Sequence, residues 1–255
     1  MRTLTSTRWI VPPQQPELPH DEVHIWKVDL TRILALGPAL DLTLAPEESR
    51  WAKQFSQGQA RRRYLLSCAV RRDILAGYLN AEPSELEFRY GVHGKPELAN
   101  HAIHFNVTHS HRLAVCAVSK SLQLGVDVER MQAGVEEEIS GWFFSSRAIR
   151  FLESLPRPRR QRVFFQGWTR MEAYAKALGI GLTIDFENLE ALLTASGPVF
   201  YGAGQPAASS EVCWLHDFQP RKGYVAALAV RGGECKVKYW KWQSKSVRPL
   251  QRLIS

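Results

Sequence analysis

Hydrophobic and polar positions alternate from Val23 to Leu30, where apolar side chains interleave with His24, Lys27 and Asp29; this spacing predicts a strand. Before it, Pro12, Pro13, Pro16 and Pro19 keep the first twenty residues extended and irregular. Pro46 followed by Glu47 and Glu48 signals a helix start. From Ala60 to Leu79 the spacing turns helical, with Leu66, Val70 and Ile74 on the buried side and Arg61, Arg62, Arg71 and Arg72 expected in water. Leu86–Tyr90 reads as a short strand, and Gly91 to Pro96 as a turn. His104–Val107, Leu113–Ser119 and Leu124–Glu129 predict an antiparallel meander. Trp142–Leu155 reads as a helix stopped by Pro156 and Pro158. Arg159–Leu178 reads as a second helix, closed by Gly179 and Gly181. Leu189–Ala195, Val212–Phe218, Tyr224–Val230 and Lys236–Trp242 are later strands. Lys245 to Ser255 is expected to form a mobile basic tail.

The order strand, loop, helix, long helix occurs from Val23 to Leu79 and again from Leu124 to Leu178, about 100 residues later. That offset exceeds solenoid periods and points to two similar halves. Composition leaves this picture intact: 255 residues with 45% hydrophobic and 23% charged are ordinary for a globular chain. The formal charge of +8 does change it, because it calls for an acidic partner. Cys68, Cys116, Cys213 and Cys235 form no Cys-x-x-Cys pair, so reduced thiols are expected rather than zinc. The N-terminus shows no apolar signal region and no stretch is apolar enough to span a membrane. We therefore expect a soluble, cytoplasmic protein.

Three segments could carry chemistry. Asp127 and Glu129, at i and i+2 on a strand, project from one face while Val126 and Val128 face the core. Two adjacent carboxylates suit a hard divalent cation, although solvated acids or pairing with Arg130 would also explain them. Phe164, Trp168, Met171, Ala175 and Leu178 form one apolar stripe, with Glu172 and Lys176 on its flank. By itself that pair is an ordinary i,i+4 contact. Thr108 and His109 close a strand, where they could meet phosphate oxygens or simply finish a turn. Lys95 stands on the stiff turn Gly94-Lys95-Pro96.

Taken together, the segments are more specific. Phe105-Asn106-x-Thr108-His109-Ser110, then Gly125-Val126-Asp127-Val128-Glu129, then Trp168-x-x-x-Glu172-Ala173-Tyr174-x-Lys176, with Gly94-Lys95-Pro96 upstream, resembles the 4′-phosphopantetheinyl transferases. The match is to their larger, single-chain (surfactin-synthetase-activating) class and runs from about Pro46 to Val230. The resemblance implies an α+β fold of two pseudo-symmetric halves, residues 1–122 and 123–255, each an antiparallel sheet packed with helices, with the active site in the cleft between them. It implies transfer of the phosphopantetheine arm from coenzyme A to a serine of an apo acyl or peptidyl carrier protein, as in a holo-[acyl-carrier-protein] synthase. Asp127, Glu129 and Glu172 match magnesium-binding acids, and Glu172, at the metal and facing the cleft, is then the best candidate for the base that takes the serine proton, directly or through water. Lys176 matches a lysine at the pyrophosphate. Thr108 and His109 match contacts to the 3′-phosphate and its neighbours, and Lys95-Pro96 the turn beside the adenine. Arg50, near the helix start, is the nearest match to a basic 3′-phosphate contact, with Trp51 beside it. A monomer with no nucleic-acid or membrane partner is expected.

The chain departs from the family pattern in three places, the mildest being Thr108 where a serine is more usual. Met171 stands where a lysine is usual, on the apolar face, so a lysine there would have to reach the cleft by snorkelling. Ala148 stands where Phe-Ser-x-x-Glu usually ends in an acid. Two other functions stay open at this point. One is a nucleic-acid binder using arginines and aromatics, for which no recognition motif is present. The other is a catalytically weak paralogue that binds carrier protein without modifying it.

Overall fold

The computed structural model describes residues 7–13, 15–33, 45–55, 58–134, 145–181, 192–193, 199–201 and 212–243. Strand β1 (Glu22–Asp29) is followed by a single turn α1 (Leu30–Ile33), then helices α2 (Pro46–Ala52) and α3 (Gln59–Leu79). Strands β2 (Phe88–Tyr90) and β3 (Pro96–Leu98) form a small hairpin. Strands β4 (His104–Ser110), β5 (Leu113–Ser119) and β6 (Leu124–Arg130) come next. Helices α4 (Ser146–Glu153) and α5 (Arg157–Leu178) precede β7 (Val199–Tyr201), β8 (Cys213–Phe218), β9 (Tyr224–Arg231) and β10 (Lys236–Lys241). The fold is mixed α+β, as expected.

Period-2 alternation builds the layers. In β1, Trp26 and Val28 face α3, whereas Val23 and Ile25 face the opposite way. In β5, Ala114, Cys116 and Val118 take the first direction, and Leu113, Val115 and Ala117 the second. Leu124, Val126 and Val128 of β6 meet that second set, together with Ala226, Leu228 and Val230 of β9. The far side of the second sheet, including Val225, Ala227 and Ala229, packs under α4 and α5. Two sheets thus lie face to face with helices outside, and three apolar clusters fill the spaces.

Sheet membership differs from a meander. The first sheet has the order β10-β1-β5-β4 and the second β6-β9-β8-β7. β4 and β5 pair antiparallel, but β6 leaves them and pairs antiparallel with β9. Local alternation cannot show this, because a strand with one face buried reads alike in either sheet. The last strand returns to the first sheet, where β10 runs parallel to β1, so a division at 122/123 separates β10 from the sheet that holds it. Of Leu189–Ala195, only Leu192 and Leu193 are described, and they are helical and buried rather than a strand. Trp142–Phe144 and the basic tail lie outside the described residues. Pro158 does not end a helix but sits in the first turn of α5, where a missing N–H costs nothing.

Arg71 and Arg72 are buried, not wet. Glu48, fully buried on α2, accepts from Arg71 Nη2 and from Arg72 Nε at 2.7 Å. Arg72 also donates to the carbonyls of Pro83 and Leu86, each at 2.8 Å, and both guanidiniums lie over the Phe88 ring. Glu48→Gln would leave these two charges without a buried counterion. A stability loss of about 3 kcal/mol or more is expected in urea unfolding. A loss below about 1 kcal/mol would mean that the guanidiniums find other acceptors.

Candidate active site

The site forms where the edge strands of the two sheets meet. On β4 the even positions Asn106, Thr108 and Ser110 are polar and buried, and all three reach across to β6. Asn106 Oδ1 accepts from the Val126 N–H at 2.9 Å. Thr108 Oγ1 donates to Asp127 Oδ1 at 2.9 Å, and Ser110 Oγ donates to Glu129 Oε2 at 2.8 Å. Ser110 Oγ also accepts from the Arg130 N–H at 3.0 Å. Side chains here substitute for the ladder that two edges of different sheets do not make. They also fix which way the two carboxylates point.

Helix α5 closes over the same face. It lies so near β6 that a Cβ on Gly125 would stand 2.1 Å from the Ala173 carbonyl oxygen and 2.4 Å from the Ala177 nitrogen. That approach delivers Lys176 Nζ to Asp127 Oδ1 at 2.6 Å, with Glu172 Oε2 at 3.9 Å from the same ammonium. Burial works against the Lys176 charge, but Asp127 together with Glu172 and Glu129 outweighs it and holds the ammonium above its ordinary pKa. Burial, with Asp127 reinforcing it and Ser110 opposing, pushes Glu129 up to about 7. Burial also raises Glu172, opposed by Lys176 and reinforced by Asp127. Three carboxylates and one lysine therefore share a single electrostatic neighbourhood, which is the pattern of a functional site.

Asp127 Oδ2 is buried and has no hydrogen-bond partner among the described residues. A buried carboxylate oxygen without a donor is costly, and a hard cation with oxygen ligands would relieve both this and the crowding of Glu129 and Glu172. The donor set fits magnesium. Among the described residues no three His, Cys, Asp or Glu side chains already stand in metal-binding geometry, and Lys176 holds the other oxygen of Asp127.

The remaining sequence candidates distribute unevenly. His109, next to Thr108, is exposed at the end of β4. Lys95 does not point freely into a cleft: its Nζ donates to the Lys176 carbonyl at 2.6 Å and the Leu124 carbonyl at 3.2 Å, and burial lowers its pKa. It braces the β2–β3 turn against α5 and β6, and Pro96 opens β3 beside it. Lys95, His104, Phe105, Leu124 and Arg231 are among the residues that line a cavity of about 270 Å3. Arg50 is exposed on α2 and pairs with Glu47 at 2.7 Å, with Trp51 half exposed next to it. Neither makes a described contact with the carboxylate cluster. Sequence reasoning gave no role to Asn106, Ser110 or Gly125. Polar residues at i, i+2 and i+4 on an apolar strand, and a glycine inside one, were the available signals.

Two comparisons place the chain. The sequence model of the 4′-phosphopantetheinyl transferase superfamily matches residues 123–229. The 4′-phosphopantetheinyl transferase HetI of Nostoc sp. is 35% identical over 237 residues, covering 91% of this chain and 97% of its own. The 4′-phosphopantetheinyl transferase Sfp of Bacillus subtilis is 24% identical over 186 residues, covering 72% and 81%. A putative 4′-phosphopantetheinyl transferase of Synechocystis sp. is 32% identical over 163 residues, covering 62% and 65%. The chain belongs to the 4′-phosphopantetheinyl transferases. Its function is to move the 4′-phosphopantetheine arm of coenzyme A to a serine of a carrier protein.

Two of the departures from the family pattern, Ala148 and Met171, lie in one environment. Each stands 100 residues after a member of the buried pair Glu48 and Arg71. Unlike that pair, Ala148 and Met171 are fully buried apolar residues in one cluster. Met171 is 0% exposed, so it belongs to the core and a lysine there has no short route to the cleft. Arg170, also buried, is held instead by Asp217 and the Leu192 carbonyl. Met171→Lys is therefore expected to lose several kcal/mol of stability. Adding Ala148→Glu should recover part of it, and strict additivity in the double-mutant cycle would show the positions uncoupled.

Proposed function

We propose that Asp127, Glu129 and Glu172 form the magnesium site for coenzyme A, that Lys176 binds its pyrophosphate, and that Glu172 is the base for the acceptor serine. The observation that carries this is the partnerless buried Oδ2 of Asp127 beside the Lys176 ammonium. Bound magnesium would supply positive charge to the pyrophosphate oxygens. Lys176, kept protonated by Asp127, supplies a second, fixed positive charge as the bond to adenosine 3′,5′-bisphosphate breaks. Glu172, raised above the ordinary carboxylate range, is suited to accept the serine proton near neutral pH. Little else is needed beyond positioning.

His109 and Thr108 would contact the 3′-phosphate side, and Lys95 and Pro96 the adenine side, with Arg50 a further basic contact. The protein would act as a cytoplasmic monomer on acyl as well as peptidyl carriers, including holo-[acyl-carrier-protein] synthase activity. Among the described residues no helix is long and apolar enough to cross a membrane. The test is incubation with coenzyme A, magnesium and a panel of apo-carriers, read by mass spectrometry. Gain of a phosphopantetheine mass on a carrier supports the reading, and no gain on any carrier rejects it.

The two residues proposed for the nucleotide side differ in setting: His109 is exposed at the end of β4, whereas Lys95 holds two main-chain carbonyls. His109→Ala should weaken coenzyme A binding in calorimetry. Lys95→Ala should weaken binding and also cost about 2 kcal/mol of stability. Unchanged coenzyme A affinity in both variants would remove them from the site.

A further inference from the structure

Between Arg147 and Arg162 the chain carries six arginines against one acid, Glu153, a net of +5 in a protein whose total is +8. The fold does not ask for all of them. Arg157, Arg159, Arg160 and Arg162 lie in the first turns of the 22-residue α5, which has no acid in its first turn and no side-chain cap at Pro156. Cations at the positive end of a helix dipole are unfavourable, and Arg157–Arg160 and Arg159–Arg162 add like charges at i,i+3. Arg160 has a structural task, donating to the carbonyls of Glu153 and Leu155 and so tying α4 to α5. Arg150, Arg157 and Arg159 do not: they are exposed and make no ion pair or side-chain hydrogen bond with any described residue. An anionic surface would relieve the repulsion within this exposed helix corner.

We propose that this α4–α5 corner, with Arg150, Arg157 and Arg159 at its centre, is the docking surface for an acidic protein domain that presents the acceptor serine. The proposal rests on the transferase reading given above. Geometry favours a protein occupant. From Arg157 to Glu172 the helix rises about 22 Å, and a domain of ~100 residues has a radius of gyration near 13 Å. Such a domain can rest one edge on the arginines while its serine reaches Glu172 and Lys176. A nucleic acid would look for aromatic faces on which bases stack, and Phe151, the one aromatic of α4, is turned into the core. The charges act over a Debye length of about 8 Å in physiological salt, so they steer and hold the partner without touching the reacting atoms.

The experiment compares wild type with Arg150→Gln/Arg157→Gln/Arg159→Gln, using an acidic apo-acyl carrier domain and coenzyme A. The KM for the carrier should rise on the order of tenfold, and the fall of kcat/KM with salt should flatten. The KM for coenzyme A and the kcat at saturating carrier should stay unchanged. The melting temperature should hold or rise, since unfavourable charges leave the helix start. An unchanged carrier KM and salt dependence in an active variant would overturn the docking surface while leaving the transferase reading intact. Loss of retention on DNA alone, with carrier kinetics unmoved, would overturn it in the same way. Absence of transfer by the wild type to any carrier would reject the transferase reading itself.

Discussion

Asp127→Ala should lose phosphopantetheine transfer by on the order of 10^3-fold or more while remaining folded. Asp127 is the node of the site: Oδ1 accepts from Lys176 and Thr108, and Oδ2 is the buried oxygen left for a cation. Its removal would take away a proposed magnesium ligand and leave the Lys176 ammonium without its closest anion. Folding should survive, because the side chain stands on the polar side of β6 while Val126 and Val128 keep the packing between the sheets. Glu172→Ala should lose as much, since it would remove both a proposed magnesium ligand and the candidate base. Glu129→Ala should be milder, because water can supply one ligand oxygen. Magnesium alone should raise the melting temperature of the wild type by a few degrees and leave that of Asp127→Ala unmoved. Wild-type rates and magnesium dependence in both severe variants would sink the assigned mechanism.

Gly125→Ala should damage the same site without altering a single polar group in it. The added methyl would stand 2.1 Å from the Ala173 oxygen, 2.4 Å from the Ala177 nitrogen and 2.8 Å from the Lys176 carbonyl carbon, all of them backbone atoms that cannot rotate away. Helix α5 must therefore move off β6, which opens the core beneath Ala173 and Ala177 and draws Glu172 and Lys176 away from Asp127. A stability loss of about 2–3 kcal/mol is expected from the strain alone. A displacement near 1 Å at the reacting groups should cost on the order of 10^2-fold in transfer. Thermal unfolding and transfer at a temperature well below the melting point separate the two effects. A variant with normal stability and rate would show that α5 does not depend on this contact.

What could be read from the chain before any coordinates follows the range of each interaction. Alternation and helical spacing located β1, α3, β5, β8, β9 and β10 to within a few residues, because burial of one face is written locally. The i,i+2 carboxylates Asp127 and Glu129 and the i,i+4 pair Glu172–Lys176 were legible for the same reason: each is set by the geometry of one element. Arg71 and Arg72 were misread because their partner, Glu48, lies 23 and 24 residues away on another helix, and local spacing cannot distinguish a solvated guanidinium from one buried on a distant acid. Met171 was legible as apolar, but its commitment to the core became clear only from the packing of α4 on α5.

By itself the sequence determined the elements, the residue types of the site and, through the order of its motifs, the class of chemistry. The tertiary structure decided which edges meet. It sent β6 to the second sheet instead of the meander, returned β10 to the first, and set β4 against β6 through Asn106, Thr108 and Ser110. It brought α5 down on Gly125, so that Lys176 reaches an aspartate 49 residues away. These outcomes depend on contacts between segments distant in sequence, whose free energy is realised only when both sheets and their helices are packed together, and no single segment carries the information that selects them.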